Sequence, residues 1–166
     1  MEKGIGIFGL SANPFHNGHL SIISEIASFD YIARLDLITT YKPTYKKCLP
    51  YEQRLQMCCL GIFDQGLSNV LPRDIRKQYT YQLIKHYKKE ETDLPLYLFV
   101  GDDWDISTWK NPEYIKENCI VKQYRRKDYL PISSTIIREK IKNKRPINGL
   151  VPENVLNYIK ENNLYV

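Results

Sequence analysis

Cysteine, histidine and tryptophan are scarce in this sequence, and long apolar runs are missing from it. The four cysteines, Cys48, Cys58, Cys59 and Cys119, form neither a Cys-x-x-Cys pair nor an evenly spaced framework. That spacing argues against a disulfide scaffold and a redox motif. No stretch nears the roughly 18 apolar residues that cross a bilayer, and the N-terminus lacks a basic flank leading into an apolar run. The sequence therefore predicts a chain that works in a reducing cytoplasm, neither secreted nor embedded in a membrane. Glycine and proline, at 8 and 9 residues, are too few for a collagenous or low-complexity chain.

What remains is an ordinary globular composition of 166 residues, 43% hydrophobic and 26% charged. No repeat or linker divides it, so residues 1–166 are expected to form a single domain. Lys and Arg outnumber Asp and Glu by 24 to 19, a net charge of +5. This mild excess suits an anionic ligand without requiring nucleic acid.

Apolar runs and helical spacings alternate along the chain. Gly4 to Leu10 reads as a buried strand, followed by a helix from Gly18 with Leu20, Ile23, Ile26 and Ala27 on one face and Asn17 as its cap. Strands follow at Leu35 to Thr40, briefly at Val70-Leu71, at Leu94 to Val100 and more weakly at Cys119 to Tyr124. Between and after them, helices are expected over Tyr51 to Phe63, with Leu55, Cys58, Cys59 and Ile62 inward, and over Tyr79 to Lys89, Ser134 to Asn143 and Pro152 to Asn162. Such alternation predicts an α/β fold, a doubly wound parallel sheet with helices on both faces and a helical C-terminal segment. Ligands of such sheets bind beyond the C-terminal strand ends. That rule singles out the loops after Leu10, Thr40 and Val100.

The first of these loops reads Gly9-Leu10-Ser11-Ala12-Asn13-Pro14-Phe15-His16-Asn17-Gly18-His19. It brings a hydroxyl and two of the three histidines to the start of a helix, where unpaired N–H groups and the helix dipole favour an anion. Gly18 would let a phosphate come close to the backbone. The competing reading is one surface histidine and one capping histidine. Zinc is disfavoured because no third ligand stands at a recognisable spacing. Ile132-Ser133-Ser134-Thr135-Ile136-Ile137-Arg138 starts another helix with three hydroxyls and an arginine one turn further in, a second candidate phosphate cradle. Its plainer alternative is a serine cap and a solvated arginine. Lys42, Lys46 and Lys47 follow the second strand, where they reach either the same ligand or solvent. Trp109 can stack on a flat heterocycle; Trp104 competes for that role, and either ring can instead lid the core.

As a pair, His16-Asn17-Gly18-His19 and the Ile132-to-Arg138 segment resemble the two signatures of the nucleotidylyltransferase superfamily. Tyr79-Thr80-Tyr81, Gly101-Asp102-Asp103 with Trp109-Lys110, Arg54, Met57, and the tail from Leu150 to Val155 with Tyr158-Ile159 and Leu164-Tyr165 make the chain similar to bacterial nicotinate mononucleotide adenylyltransferases. The likeness spans nearly the whole chain. It implies a Rossmann-like sheet and transfer of AMP from ATP to nicotinate mononucleotide, giving deamido-NAD and pyrophosphate. His16, His19 and Arg138 would then be catalytic. ATP would meet Gly9, Leu10, Ser11, His16, Gly18, His19, Lys46, Asp103, Ile132, Ser133, Ser134 and Arg138. The mononucleotide would meet Lys46, Thr80, Tyr81 and Trp109, with Trp104 packed inward. Magnesium would be held through phosphates and water, with no protein side chain as ligand.

The same resemblance implies ATP and nicotinate mononucleotide as partners, with neither membrane nor nucleic acid, and leaves a homo-oligomer open. Tyr45 stands where the family has a histidine, and only Arg126 to Pro131 joins the last strand to the second signature. The rival assignments are phosphopantetheine adenylyltransferase, a nicotinamide mononucleotide enzyme, and a nucleotide sensor or RNA-binding module using the basic Lys122-to-Lys127 stretch.

Overall fold

Each expected apolar run becomes a strand of one parallel sheet: β1 (Gly4–Leu10), β2 (Ile32–Thr39), β3 (Val70–Arg73), β4 (Leu96–Gly101) and β5 (Ile120–Tyr124). The computed structural model describes all 166 residues except for the side chain of Glu91. Strand order is β3-β2-β1-β4-β5, so the winding reverses between β1 and β4. That reversal opens a crevice at their C-terminal ends. Leu94 and Pro95 fall outside β4 because Pro95 has no N–H to give the ladder; its carbonyl instead accepts from the Ile5 amide at 2.9 Å.

Side chains alternate across the sheet as the pleat requires. Phe8, Leu35, Leu37, Tyr97 and Phe99 face one layer, which contains α1 (Asn17–Ala27), α2 (Tyr51–Ile62), α5 (Ser134–Lys142) and α6 (Glu153–Glu161). Ile5, Ile7, Ile38, Leu96, Leu98 and Val100 face the other, which contains α3 (Thr80–His86) and α4 (Pro112–Asn118). Helices on both faces bear out the doubly wound architecture. The longer helix expected to Lys89 stops being α-helical at His86 and continues as a π-turn, Tyr87–Glu91. Pro152 caps α6 from just outside it.

α4 has no counterpart among the expected elements. Its Pro112 occupies the first turn, where a missing N–H costs nothing, but its seven residues are too few to show a clear apolar period. α2 departs in its facing: Tyr51, Arg54, Met57, Cys58 and Gly61 are buried, Cys59 is exposed, and Leu55 and Ile62 are only half-buried. Arg54 causes this rotation. It is 1% exposed, and its guanidinium donates to the carbonyls of Leu49 at 2.8 Å, Ser11 at 2.9 Å and Tyr41 at 3.5 Å. Turning the Leu55–Cys59 stripe inward would remove those acceptors.

Asp36, in the middle of β2, is fully buried on the α3 side. Its carboxylate accepts from Arg34 at 2.7 and 2.9 Å, from Arg73 of β3 at 2.8 Å and from the Tyr87 hydroxyl at 2.6 Å. One acidic side chain therefore ties two strands to the turn that follows α3. Burial, reinforced by the Asp36 charge, holds the Tyr87 hydroxyl protonated far above the ordinary tyrosine range. Asp36→Ala removes the acceptor shared by these three donors and is expected to cost about 3 kcal/mol. Urea unfolding measures it; a loss under about 1 kcal/mol, the size of an exposed pair, would show that the hub does not hold the sheet.

Candidate active site at the C-terminal end of the first strand

Gly9 is exposed although it lies in the central strand, and a Cβ built on it would meet nothing within 4 Å. Such open space above a strand covered on both faces marks the crevice. Beyond it, Leu10 accepts from the Thr40 amide at 3.0 Å, and the chain turns through Ala12, whose φ of 51° lies in the left-handed region. Four other parts of the chain fix this turn. Arg54 takes the Ser11 carbonyl, Arg138 the Asn13 carbonyl at 2.7 Å and Ser134 the Pro14 carbonyl at 2.9 Å. The Asn13 side-chain oxygen accepts from the Tyr165 hydroxyl at 2.9 Å and the Leu49 amide at 3.3 Å.

His16 and His19 are thereby set at the first turn of α1. His16, not Asn17, is the cap: its Nδ1 accepts from the His19 amide at 3.2 Å, and the His19 Nδ1 accepts from the His16 amide at 3.2 Å. Asn17 instead holds the chain before α6, its amide donating to Leu150 and its side chain to Gly149, each at 2.9 Å. The two imidazoles stack with centroids 3.7 Å apart. Because each Nδ1 accepts, each neutral ring carries its proton on Nε2, giving two N–H donors. A Cβ on Gly18 would lie 2.9 Å from the His16 ring and 3.2 Å from the Ile132 carbonyl. In the free protein Gly18 thus makes room for the imidazole and for the second signature.

Burial, then the nearby positive charge of Arg126, lowers the His16 pKa to about 4. Desolvation, followed by the fields of His16, Arg126 and Lys46, holds His19 well below the usual histidine range. Both rings are neutral at pH 7. Desolvation, with the charges of Arg138, Arg54 and Arg126, also pulls the Lys46 ammonium below its ordinary range, against the effect of Cys48. Ser133 caps α5 by accepting from the Ile136 amide at 3.2 Å. Arg138 spends two of its donors on Asn13 and on the Thr135 hydroxyl.

The expected base-binding residues gather on the α3 side. Thr80 starts α3, Tyr81 and Trp109 pack against the second core, and the Lys110 ammonium lies 6.0 Å from the Tyr79 ring. Trp104 does not pack inward. It is 39% exposed, meeting Trp109 edge-on at 6.0 Å and Tyr45 at 5.9 Å. The Trp109 amide donates to Ile106 at 2.9 Å in a 3-10 turn, which turns that indole toward the core and leaves Trp104 as the outer ring. Arg126, whose charge acts on His16, His19 and Lys46, belongs to the Lys122-to-Lys127 stretch that reads in the sequence as a plain basic run; the short connection to Pro131 is the signal that keeps it near the cleft.

The chain matches the cytidylyltransferase-like family over residues 7–140. It is 32% identical to a protein of Borrelia hermsii named as a probable nicotinate-nucleotide adenylyltransferase, over 98% of this chain and 97% of that one. A protein of Clostridium acetobutylicum with the same name is 30% identical over 99% of this chain and all of its own length, 100%. Among solved structures, a Vibrio parahaemolyticus protein assigned as a nicotinate-nucleotide adenylyltransferase superposes with a TM-score of 0.82 at 25% identity, over 99% of this chain and 96% of that one.

The neutral histidines set a pH dependence. Below pH 6.5 the unfolded chain protonates His16 while the folded chain does not, so stability falls with pH from 6.5 to about 4. The His16 part of that loss amounts to about 3 kcal/mol. Denaturant unfolding across this window should show the slope, and His16→Gln should flatten it. An unchanged slope in His16→Gln would mean that the imidazole is not held neutral.

Proposed function

The chain belongs to the nicotinate-nucleotide adenylyltransferases of the cytidylyltransferase-like family, and from that premise we infer that it transfers AMP from ATP to nicotinate mononucleotide. The observation that carries this reading is the pair of Nε2 donors at the start of α1, in the field of Arg126 and Lys46, with Arg138 bonded to the same loop and the opening at Gly9 beside them. A 5′-phosphate oxygen of the mononucleotide attacks the α-phosphorus of ATP. The bond from that phosphorus to the α,β-bridging oxygen breaks, and pyrophosphate departs with its electrons. No protein nucleophile is required, so the chain's work is to align two anions and to stabilise charge growing on the phosphates.

In this reading His16 and His19 donate to the phosphates, with His19 nearest the α-phosphate. Arg138 uses its remaining donors on the triphosphate, Ser133, Ser134 and the Ile132 backbone frame its far side, and Lys46 lies between the two substrates. Gly9, Leu10, Ser11 and Gly18 shape the nucleotide floor, and Asp103 accepts from ribose. Thr80 and Tyr81 bind the nicotinate carboxylate, and Trp109 stacks on its ring, displacing Trp104. Among the described residues no group of three or more His, Cys, Asp or Glu side chains can hold a metal. Magnesium would arrive with ATP, held through phosphate oxygens and water, and would draw charge from the phosphates.

No helix is long and apolar enough to cross a membrane. Cytoplasmic placement, residues 1–166 as one catalytic domain and freedom from nucleic acid belong to the same reading. Self-association is compatible with it.

ATP and nicotinate mononucleotide should together release pyrophosphate in a magnesium-dependent reaction. His19→Ala should lower kcat roughly a hundred-fold or more while KM for ATP changes little, as expected for a contact that tightens in the transition state. Release with phosphopantetheine but not with the mononucleotide would overturn the assignment, and equal losses in kcat and binding would reduce His19 to a binding group. Trp109→Ala should raise KM for the mononucleotide roughly ten-fold and abolish the fluorescence response to it. A response that survives there but vanishes in Trp104→Ala would move the stacking role to the outer indole.

A further inference from the structure

Arg126 and Asp103 meet at the mouth of the site. The Arg126 Nε donates to an Asp103 carboxylate oxygen at 2.8 Å, and the Arg126 amide reaches the Asp102 carboxylate at 3.5 Å. The pair sits over the last residue of β4, Gly101: a Cβ there would overlap the Asp103 carboxylate and lie 2.9 Å from the Arg126 Nε. Just behind, the Asp102 amide donates to the Tyr124 carbonyl at 2.9 Å, fastening the ends of β4 and β5 together. Arg126 opens the short turn that leads from β5 toward the second signature.

The guanidinium is 54% and the carboxylate 55% exposed, so this pair adds little to stability. Its position is more informative. Arg126 acts electrostatically on His16, His19 and Lys46, which makes it part of the cationic field around the crevice. Yet its nearest partner is the carboxylate assigned above to ribose. One cation thus faces two claims, from Asp103 and from the phosphates that the field would attract.

We propose that Arg126 is a triphosphate-binding residue, held by Asp103 in the free protein and exchanged onto ATP phosphate when nucleotide binds, which releases Asp103 to accept from the ribose hydroxyls. The proposal deepens the nucleotide reading given above and rests on it. A solvated ion pair is easily exchanged, whereas guanidinium on phosphate forms forked, charge-assisted hydrogen bonds. Pairing with Asp103 keeps the arginine aimed at the entrance before nucleotide arrives. It also couples recognition of phosphate to recognition of sugar.

Calorimetric titration with inorganic tripolyphosphate and with α,β-methylene ATP separates the two couplings, because only the second ligand carries ribose. Arg126→Ala should weaken both by roughly ten-fold or more, and Arg126→Lys should restore part of the loss. Asp103→Asn should weaken the nucleotide analogue but tighten tripolyphosphate, since the arginine then has no competing carboxylate. A structural role for the pair would not move the two ligands in opposite directions. Tripolyphosphate affinity unchanged by Arg126→Ala, or weakened by Asp103→Asn, would overturn the exchange while leaving the nucleotide reading intact. Wild-type protein that binds neither ligand would overturn both.

Discussion

Backbone carbonyls in the turn after β1 have to find donors, and nearly everything at the site depends on how they do. Asn13 is 3% exposed and Ala12 wholly buried, so their peptide groups cannot rely on water. The donors come from far along the chain, Arg54 on α2 and Ser134 and Arg138 on α5, while Tyr165 after α6 holds the Asn13 side chain. Two are guanidinium groups, whose charged N–H bonds are the strong ones. Removing Arg54, Arg138 or Ser134 would take the donor from a carbonyl of this turn and loosen the segment that positions His16. The second signature therefore builds the first before either meets a ligand.

A consequence is electrostatic. Burial, with the nearby charge of Arg126, keeps both imidazoles neutral, so the positive charge around the crevice is carried by arginine and lysine. The histidines contribute direction instead of charge: reciprocal Nδ1 acceptors fix their tautomers and orient two Nε2 donors. A polyanion entering this field meets donors that need no reorganisation. Such preorganisation is what charge stabilisation in a dry site requires.

Much of this was legible in the sequence, and what was not has physical reasons. Strand positions followed from apolar runs such as Leu94 to Val100, which contains most of β4, because a strand buried on both faces needs nothing more subtle. α4 was missed because seven residues after Asn111 give no readable period. The facing of α2 was misread because a buried arginine looks like a surface residue until its acceptors are known. Asn17 looked like the cap on propensity, yet an imidazole took that place because the two histidines satisfy each other. The outward position of Trp104 was unexpected for a related reason: the 3-10 turn before Trp109 sets which indole faces inward, and turn geometry leaves little trace in composition. The signatures themselves were visible, but not that Ser134 and Arg138 bond to the first loop.

The hydrogen bond from Tyr165 to Asn13 joins residues 152 positions apart. During synthesis, β1 and its loop leave the ribosome long before the side chain that completes the loop exists. The sheet and α1 can assemble in the meantime, because their contacts are closer in sequence. The turn after β1 gains this side-chain donor only once residue 165 has been made. A chain shortened before Tyr165 would keep both histidines and Arg138 and lose one of the two donors to the Asn13 side chain, so the turn that sets His16 would be held less firmly.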